Sequence, residues 1–337
     1  MKLKTFLSLV RDGRGLMGAR LMQLSVSFFR VHYLSAAFSS GLLAMLSEGP
    51  MSVEQVALRI APNPATADAV RAWLDMGVGA GVLRFSGGKY AIKRGLAKFI
   101  ADPRNDAFAA FCEELTEMDG PSLTLLPQRL RDGRLLTLAD QKGEIVARSS
   151  RTVEPLIQEA IDAIVPQRAP FRLLDVGCGS GTYMRYAVER NRELSALGLE
   201  LQPQVAAFAR NNLRDWGVDA RARVETGDIR ERAPSSEFDA VMLNNNIYYF
   251  PVEKRVDLIR HLGGFLKPGG RLLVTSPCLA RNVFSGLLDI WSAGCEGCGR
   301  LPIRDELVRQ MREAGLASPQ AKALAPFGQY YAFTALR

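Results

Sequence analysis

The spacing of apolar side chains divides the chain into two parts. Up to about residue 165, apolar positions recur every three or four residues, which is typical of amphipathic helices. From about residue 170, short apolar runs of strand length alternate with helical stretches. Because one hydrophobic core rarely grows past about 250–300 residues, we expect two domains in the 337-residue chain, over 1–100 and 169–337, with a helical connector over 101–168.

The first part predicts three helices followed by a β-hairpin. Ser52 and Gln55 have the spacing of a capping box, which marks the start of the second helix. A Ser-Gly-Gly-Lys turn separates two short strands. This order of elements is typical of a winged-helix domain. The predicted helices cover 34–47, 52–60 and 66–76, and the strands cover 82–85 and 90–92.

A winged helix suggests DNA binding, but the charge of its third helix argues against that function. A recognition helix in the major groove needs donors for phosphates and bases. Between 66 and 76 the only basic residue is Arg71, and Asp68 and Asp75 oppose it. We therefore expect the domain to serve dimerisation or to build a substrate pocket, and we expect no nucleic acid as a partner.

Much of the positive charge lies at the start of the sequence. The formal net charge is +8, and residues 1–33 hold six lysines and arginines against Asp12 alone. Packing of this basic segment against a neighbouring helix or a second subunit is the favoured interpretation. Contact of residues 1–33 with a membrane surface or a lipid-like substrate is the alternative. Helical spacing relates four apolar residues there, Leu3, Phe6, Leu7 and Val10.

Location is indicated by apolar runs and by cysteines. No apolar run approaches the roughly 20 residues of a membrane-spanning helix. The N-terminal apolar stretch, which Ser8 interrupts, lacks the small-residue cleavage site of a signal peptide. The five cysteines follow no regular framework, which is typical of a reducing compartment. We therefore expect a cytoplasmic protein.

The second part predicts an α/β domain. Alternating strands and helices favour a parallel, doubly wound sheet with helices on both faces. In sheets of this kind, ligands bind beyond the carboxyl ends of the strands. The strands are predicted over 172–176, 196–200, 222–226, 240–243, 271–275 and 330–336, and the helices over 181–191, 203–215, 253–266 and 303–314.

The turn after the first of these strands is rich in glycine. The sequence Leu-Leu-Asp-Val-Gly-Cys-Gly-Ser-Gly-Thr over 173–182 places Gly177, Gly179 and Gly181 at alternate positions. Glycine lets the backbone bend tightly and lets a ligand approach without a Cβ in the way. The spacing differs from the dinucleotide fingerprint G-x-G-x-x-G, and no P-loop lysine follows. The loop is therefore predicted to hold a ligand without a phosphate chain.

Acidic residues at the ends of the next two strands extend this predicted site. Glu200 ends the second strand, where a carboxylate can accept two hydrogen bonds from a ribose diol. Asp228 follows the third strand and can accept from the amino group of adenine, while Ile229 packs against the ring. Together with Asp175, three acidic strand ends in order indicate a nucleoside site far more strongly than the glycine loop alone.

These motifs resemble those of class I S-adenosylmethionine (SAM)-dependent methyltransferases. The resemblance covers 170–337 and implies a Rossmann-like, seven-stranded domain with SAM as its cofactor. The winged-helix region, together with 287–316, resembles the two-domain subfamily that methylates small molecules and typically dimerises through its N-terminal domain. The motifs that carry the resemblance lie over 174–181, 198–200, 227–229 and 265–271.

The same resemblance implies roles for individual residues. It places Asp175 and the loop glycines at the methionine end of the cofactor. The residues at the ends of the next two strands are then expected to bind the ribose and the adenine. One of three asparagines after the fourth strand is also expected at the cofactor. The implied cofactor residues are Asp175, Gly177, Gly179 and Gly181, then Glu200 and Leu201, then Asp228 and Ile229, and finally Asn244.

The usual general base of these enzymes is missing from its expected position. Two-domain O-methyltransferases usually carry a histidine shortly after the fourth strand, and the aligned residue here is Tyr248. The two histidines of the chain, His32 and His261, lie elsewhere. We therefore expect an acceptor that is already acidic or nucleophilic, such as an enol, an acidic phenol, an amine or an activated carbon. Tyr248 and Tyr249 are the predicted catalytic residues that orient it.

Cys295 and Cys298 have the spacing of metal ligands, but a structural zinc site needs four ligands. No second pair and no neighbouring histidine accompanies them, so no metal is expected. A loop near the mouth of the substrate pocket is the favoured interpretation, and a redox pair is the alternative.

The sequence thus predicts methyl transfer from SAM to a small aromatic, enolic or polyketide-like acceptor, on oxygen, nitrogen or carbon. A membrane-associated, lipid-like acceptor and a non-catalytic SAM-binding regulator are the alternatives. A nucleic-acid methyltransferase is disfavoured because it would need a basic cleft. In addition, the sequence Asn-Ile-Tyr-Tyr over 246–249 lacks the prolines of an Asn-Pro-Pro-Tyr motif.

Overall fold

The computed structural model describes residues 11–325 and 329–337. The chain divides into two compact units, Met1–Glu117 and Met118–Arg337. The division falls inside the segment 101–168 that the sequence marks as a connector. The amphipathic helix predicted around residues 3–10 lies outside the described residues.

Unit 1 is helical and contains one β-hairpin. The helices predicted over 52–60 and 66–76 and the predicted hairpin are present, and β1 pairs with β2 antiparallel. The Ser52 side chain accepts from the Gln55 backbone at 3.4 Å, and the Gln55 side chain accepts from the Ser52 backbone at 2.9 Å, which confirms the capping box. The elements are α1 (Arg14–Ser39), α2 (Leu42–Glu48), α3 (Val53–Ile60), α4 (Ala67–Gly79), β1 (Leu83–Ser86), β2 (Lys89–Ile92), α5 (Leu96–Ile100) and α6 (Asp106–Glu114).

The helix predicted over 34–47 is wrong as a single element. Residues 34–39 are the end of the much longer helix α1, and residues 42–48 form the separate helix α2. Gly41 between them has a φ of +77°. This left-handed backbone conformation favours glycine and interrupts the right-handed helical path. Among the described residues, α1 is the longest helix, yet neither it nor any other helix has the length and apolar character to cross a membrane.

Unit 2 consists of three short helices followed by a sheet with helices on both faces. The helices α7 (Gly120–Arg131), α8 (Gly143–Ser149) and α9 (Glu154–Asp162) come first. The remaining elements are β3 (Phe171–Val176), α10 (Thr182–Arg190), β4 (Leu194–Glu200), α11 (Pro203–Asp215), β5 (Ala222–Thr226), β6 (Phe238–Asn244), α12 (Arg255–Phe265), β7 (Leu266–Pro277), α13 (Val283–Ala293), α14 (Arg304–Glu313), β8 (Ala317–Ala323) and β9 (Tyr330–Leu336).

The sheet has seven strands in the order β5-β4-β3-β6-β7-β9-β8. Strands β3 to β7 pair in parallel, and β9 pairs antiparallel with β7 and β8. The α/β, Rossmann-like, seven-stranded fold predicted from the sequence is therefore confirmed. The chain leaves β3 toward β4 and later returns to the other side of β3 with β6. This reversal is the switch point at which sheets of this kind bind ligands.

The strands are apolar because both faces of the sheet are covered. Leu173 of β3 enters one buried cluster, whereas its neighbour Leu174 enters the other. Successive side chains of a strand point to opposite faces, so a doubly covered strand is apolar without alternation.

Strand β8 is absent from the sequence prediction, and its composition explains why. Its sequence is Ala-Ser-Pro-Gln-Ala-Lys-Ala, and its side chains are mostly exposed. It lies at the edge of the sheet, where proline and lysine are common because they discourage further strand pairing. A polar edge strand lacks the alternation of apolar and polar residues from which a strand can be predicted.

Candidate active site

A cavity of about 240 Å³ lies within unit 2, at the carboxyl ends of the parallel strands. Its floor is formed by the residues that end or follow β3, β4, β5 and β6. Its sides are formed by residues 138–150, by the turn over Tyr248–Phe250 and by a second turn at Glu296 and Gly297. The cavity therefore lies where the strand order predicts a ligand.

The glycine loop forms part of the cavity wall. Gly177 and Gly179 line the cavity and have φ values of +67° and +53°. A Cβ on Gly177 would lie 1.8 Å from Nδ2 of Asn246. The loop therefore requires glycine at this position for its backbone conformation and for the close approach of Asn246. Gly181 has a φ of +79° and precedes α10, but it does not line the cavity.

Glu200 links the end of β4 to the glycine loop. One carboxylate oxygen accepts from the Gly179 backbone at 3.1 Å, and the other accepts from the Gln202 backbone at 3.0 Å. The residue is 8% exposed and lines the cavity. Burial raises the pKa of Glu200, and the backbone hydrogen bonds oppose that rise. The carboxylate is thus fixed in position, with further acceptor capacity on each oxygen.

Asp175 near the end of β3 has a fully buried carboxyl group. Neither carboxyl oxygen has a hydrogen-bond partner among the described residues. Burial raises the pKa of Asp175 to about 8, and the charge of Glu200 adds to the rise. The nearby Asn244 amide opposes it without forming a well-aligned hydrogen bond. Buried polar groups are normally paired, so an unpartnered carboxyl group next to the glycine loop is unusual.

Asp228 and Ile229 line the cavity after β5. One oxygen of Asp228 accepts from the backbone and from Nε of Arg230, both at 2.9 Å. These hydrogen bonds hold the pKa of Asp228 below its usual value. The Ile229 carbonyl is 2.8 Å from Nε2 of His261 on α12. His261 therefore positions the loop that carries Ile229, and it does not itself line the cavity.

Three consecutive asparagines line the cavity at the end of β6. Oδ1 of Asn244 accepts from the Thr275 hydroxyl at 2.9 Å, which leaves its buried amide nitrogen without a partner among the described residues. Asn245 has a φ of +50°, and its Oδ1 accepts from the Tyr330 hydroxyl at 2.6 Å. Left-handed backbone at a non-glycine residue is uncommon and often marks functional sites.

Tyr248 and Tyr249 form one side wall of the cavity. Their rings stack with centroids 5.1 Å apart, and the Tyr249 ring lies edge-on to Trp291 at 5.4 Å. The Tyr249 hydroxyl accepts from the side-chain amide of Gln141 at 2.8 Å. Stacking and this hydrogen bond fix the orientation of a flat, apolar wall that suits an aromatic or conjugated ligand.

Most residues predicted for the site line this one cavity. Asp175 and Gly181 are the two that do not; one is buried near the end of β3 and the other starts α10. The predicted residues that line it are Gly177, Gly179, Glu200, Leu201, Asp228, Ile229, Asn244, Tyr248 and Tyr249.

One group of lining residues escaped the sequence prediction. It belongs to the segment 138–150, which includes α8 and which the sequence marks only as a helical connector. Its side chains carry no motif, because they meet the strand ends only in the folded chain. The turn between Cys295 and Cys298 was predicted as a loop near the mouth of the substrate pocket, and Glu296 and Gly297 within it line the cavity. The missed residues are Leu138, Gln141, Gly143, Val146, Ala147 and Ser150.

Neither histidine shows the surroundings of a general base. His32 Nδ1 lies 2.9 Å from the Phe28 carbonyl on its own helix, and His261 serves the Ile229 loop as described. In residues 11–325 and 329–337, no group of three or more His, Cys, Asp or Glu side chains is arranged to hold a metal ion.

Comparison with known proteins finds a known domain family in this part of the chain. The family described as "Methyltransferase domain" matches residues 174–272, from β3 through the start of β7. This match includes the glycine loop, Glu200, Asp228 and Asn244. Residues 174–272 are therefore similar to a methyltransferase domain.

Curated relatives of the methyltransferase domain match only part of the chain. One is the 27-O-demethylrifamycin SV methyltransferase of Amycolatopsis mediterranei, 27% identical over 51% of this chain and 63% of its own length. Another is the aclacinomycin 10-hydroxylase RdmB of Streptomyces purpurascens, 32% identical over 49% of this chain and 44% of its own length. The chain thus spans less than two thirds of these relatives, and one of them is named for a different reaction.

Solved structures share the fold over nearly the whole chain. The mitomycin 7-O-methyltransferase MmcR superposes with a TM-score of 0.76 at 18% identity, covering 97% of this chain and 99% of its own. Human N-acetylserotonin methyltransferase, solved in complex with SAM, gives a TM-score of 0.74 at 18% identity over 95% and 97%. At this identity the comparison establishes the fold, which is that of two-domain O-methyltransferases.

Proposed function

We propose that this chain transfers the methyl group of SAM to a small aromatic, enolic or polyketide-like molecule. The observation that carries the proposal is the paired arrangement of Glu200 and Asp175 around the glycine loop. Glu200 offers fixed acceptors for a ribose diol, and Asp175 holds an unpartnered carboxyl group. Such a site suits a nucleoside that carries a positive charge and no phosphates. The match to methyltransferase domains supports the same cofactor.

In this proposal, residues at different strand ends bind different parts of the cofactor. Asp228 accepts from the adenine amine while Arg230 holds the carboxylate in place, and Ile229 packs on the ring. Leu201 covers the ribose beside Glu200. The amide nitrogen of Asn244, free of partners in the described structure, donates toward the methionine end.

The acceptor is oriented by the tyrosine wall. When bound, SAM supplies an electrophilic methyl group on a sulfonium, and the transfer neutralises that charge. Positioning therefore contributes most of the catalysis when the acceptor is already nucleophilic. Tyr248 and Tyr249 hold a flat acceptor, and the hydrogen bond from Gln141 fixes the position of the Tyr249 hydroxyl. An enol, an acidic phenol, an amine or an activated carbon meets this requirement without a histidine.

The test is incubation of the purified chain with methyl-labelled SAM and a panel of phenols, enols, amines and lipids. Labelled product from a phenol, an enol or an amine supports the proposal. Label only in a lipid would favour the membrane-associated alternative. Tight SAM binding with no product from any class would favour a non-catalytic regulator.

The pH dependence of SAM binding is expected to report Asp175. Its pKa is raised to about 8 from 3.8, so the free site is mostly protonated at pH 7. A cationic ligand favours the ionised form, and binding below pH 8 then releases a proton. We expect SAM affinity to rise about tenfold per pH unit up to pH 8, measured by calorimetry. Asp175→Asn should flatten this dependence, whereas Asp257→Asn, 72% exposed on α12, should not.

The raised pKa of Asp175 also predicts how stability depends on pH. SAM affinity should rise with pH, whereas the stability of the ligand-free protein should fall. Below its unfolded-state value of 3.8, Asp175 is protonated in both states, and the contribution of its raised pKa is fully present. As pH rises toward 8, the unfolded chain releases the proton first, so the unfolding free energy of the ligand-free protein falls. The unfolding free energy of Asp175→Asn should therefore depend less on pH than that of the wild type. An unchanged slope would contradict the assignment.

We also propose that two copies associate through α1. Large apolar side chains cover the first two thirds of this helix, and from Arg14 to Ser39 it carries no acidic residue. A helix that is apolar all round is normally buried. If each of eight side chains exposes roughly 100 Å² of surface, the helix exposes about 800 Å² of apolar surface, which is the area that one partner buries in a stable interface. The side chains, 46–70% exposed, are Leu16, Met17, Leu21, Met22, Leu24, Val26, Phe28 and Phe29.

Analytical ultracentrifugation tests the dimer. The wild type should sediment as a dimer, and Leu21→Glu with Leu24→Glu should sediment as a monomer. Leu58→Glu is the matched control, because Leu58 is 72% exposed on α3 and should leave the dimer intact. A monomeric wild type that instead binds anionic vesicles would favour the membrane alternative for this helix.

The five free cysteines support our further proposal of a cytoplasmic location.

A further inference from the structure

The proposed methyl transfer makes no use of the Cys295–Cys298 pair, although the pair borders the cavity. Cys295 follows the end of α13, and the two residues between the cysteines, Glu296 and Gly297, both line the cavity. Both cysteines carry free thiols. A change of covalent state in this four-residue turn therefore changes the cavity wall directly.

The turn brings the two cysteines close together. The Cys298 backbone donates to the Cys295 carbonyl at 3.2 Å and closes a four-residue turn. The end Cα atoms of such turns lie within about 7 Å, and disulfides bridge Cα atoms about 4.4–6.8 Å apart. Gly297 has a φ of +74°, which the third position of a type II turn requires. The Cys295 thiol donates to the Glu296 carbonyl at 3.9 Å, and the neighbouring Cys298 thiol lowers the pKa of Cys295.

The neighbouring backbone fixes one end of this turn. The Leu136 backbone donates to the Gly294 carbonyl at 2.7 Å, and the Glu296 backbone donates to the Leu136 carbonyl at 2.8 Å. Cys295 is 2% exposed, whereas Cys298 is partly exposed. An oxidant in solution therefore meets Cys298 first, and Cys295 is the internal thiol that completes a disulfide.

The other end of the turn is bonded to the tyrosine wall. The Gly299 backbone donates to the Tyr248 carbonyl at 2.9 Å. The buried guanidinium of Arg255 donates to the Phe250 carbonyl at 3.3 Å and to the Arg300 carbonyl. Because these bonds join the two segments, a shift of Cys298 moves Tyr248 as well. Glu200 and the glycine loop make no such bond to this turn.

We propose that Cys295 and Cys298 form a reversible disulfide that reshapes the acceptor side of the cavity, with a small disulfide such as oxidised glutathione as the oxidant. Hydrogen bonding to Cys295 and burial raise the pKa of the Cys298 thiol, so only its small thiolate fraction attacks one sulfur of the oxidant. One glutathione then leaves as its thiolate. The Cys295 thiolate then attacks the Cys298 sulfur, and the second glutathione leaves. Two protein thiols are oxidised, one glutathione disulfide is reduced to two thiols, and the two protons pass to the glutathiones.

The location of the pair favours regulation over disulfide-exchange catalysis. Catalytic pairs of this spacing gain reactivity from a helix N-terminus, whose positive end stabilises the thiolate. Cys295 instead follows the C-terminal end of α13, where the helix dipole opposes a thiolate. The disulfide therefore forms and persists as a state of the enzyme instead of passing to other proteins.

The experiment equilibrates the full chain in glutathione buffers of increasing oxidised fraction, followed by alkylation and peptide mass mapping. We expect a Cys295–Cys298 disulfide that dithiothreitol reverses, together with altered fluorescence of Trp291, which contacts Tyr249. SAM affinity should stay within about twofold, because the cofactor residues are not bonded to the turn. Turnover of the acceptor, which rests on the proposed function, should fall about tenfold, as expected for a displaced wall.

Two variants complete the design. Cys298→Ser should abolish both the disulfide and the fluorescence change, whereas Cys278→Ala, which removes a buried cysteine outside the pair, should keep both. Both thiols still alkylated at the most oxidising ratio, or a lone glutathione adduct on Cys298, would overturn the proposal. A disulfide that forms in a chain unable to bind SAM would sustain the redox pair and overturn the proposed function.

Discussion

Replacement of Glu200 by alanine should weaken SAM binding by roughly 100-fold in calorimetry. Two hydrogen bonds from the ribose diol to a charged acceptor are lost, each worth about 1.5–3 kcal/mol. The Gly179 and Gln202 backbone amides also lose the carboxylate that now fixes them. Both effects act on the cofactor, so affinity should fall far more than stability.

Glu225→Ala is the matched control for this prediction. Glu225 lies on the neighbouring strand β5, pairs with Arg232 at the surface and does not line the cavity. Its removal should leave SAM affinity within about twofold, since exposed ion pairs contribute little. Equal affinities of Glu200→Ala and wild type would show that the ribose assignment is wrong.

Replacement of Arg255 by alanine should lower the unfolding free energy by about 3 kcal/mol, because the buried Phe250 carbonyl and the part-buried Arg300 carbonyl lose a charged donor. Arg255 is 2% exposed, and burial lowers its pKa to about 10, so it is still charged at pH 7. Its bonds to the Phe250 and Arg300 carbonyls hold the tyrosine wall to the turn after Cys298. Methyl-transfer turnover should therefore fall in the folded variant, while SAM affinity stays close to wild type.

Arg260→Ala on the same helix separates this effect from a general loss of positive charge. Arg260 is 54% exposed and pairs with Asp257 within the helix. Denaturation with urea should show a change of under about 1 kcal/mol for this variant. Comparable losses in the two variants would mean that the buried position of Arg255 carries no special role.

The predicted cofactor residues could be proposed from the sequence because most of them lie at or just after the end of a strand. The apolar run before Gly177, the carboxylate of Glu200 and the acidic turn at Asp228 are local patterns, and parallel strands bring their carboxyl ends to one edge. The topology then follows from a small set of rules. These predictions therefore needed no knowledge of distant contacts.

The acceptor side depends on contacts that no local pattern encodes. Gln141 reaches Tyr249 across 108 positions of sequence, and the turn at Glu296 meets Leu136 through backbone hydrogen bonds. His261 illustrates the same point, because its sequence suggests only a helix histidine, whereas the fold brings it to the Ile229 carbonyl. Backbone partners carry no residue preference, so such contacts appear only in the folded structure.

We propose that the cavity accommodates an adenosyl sulfonium and not a phosphorylated nucleotide. Titration calorimetry of the purified chain with SAM, its demethylated product, NAD and ATP distinguishes the two kinds of ligand. We expect saturable, one-per-chain binding of SAM and of the demethylated product, with no heat from NAD or ATP. Saturable binding of NAD or ATP, with none of SAM, would contradict it.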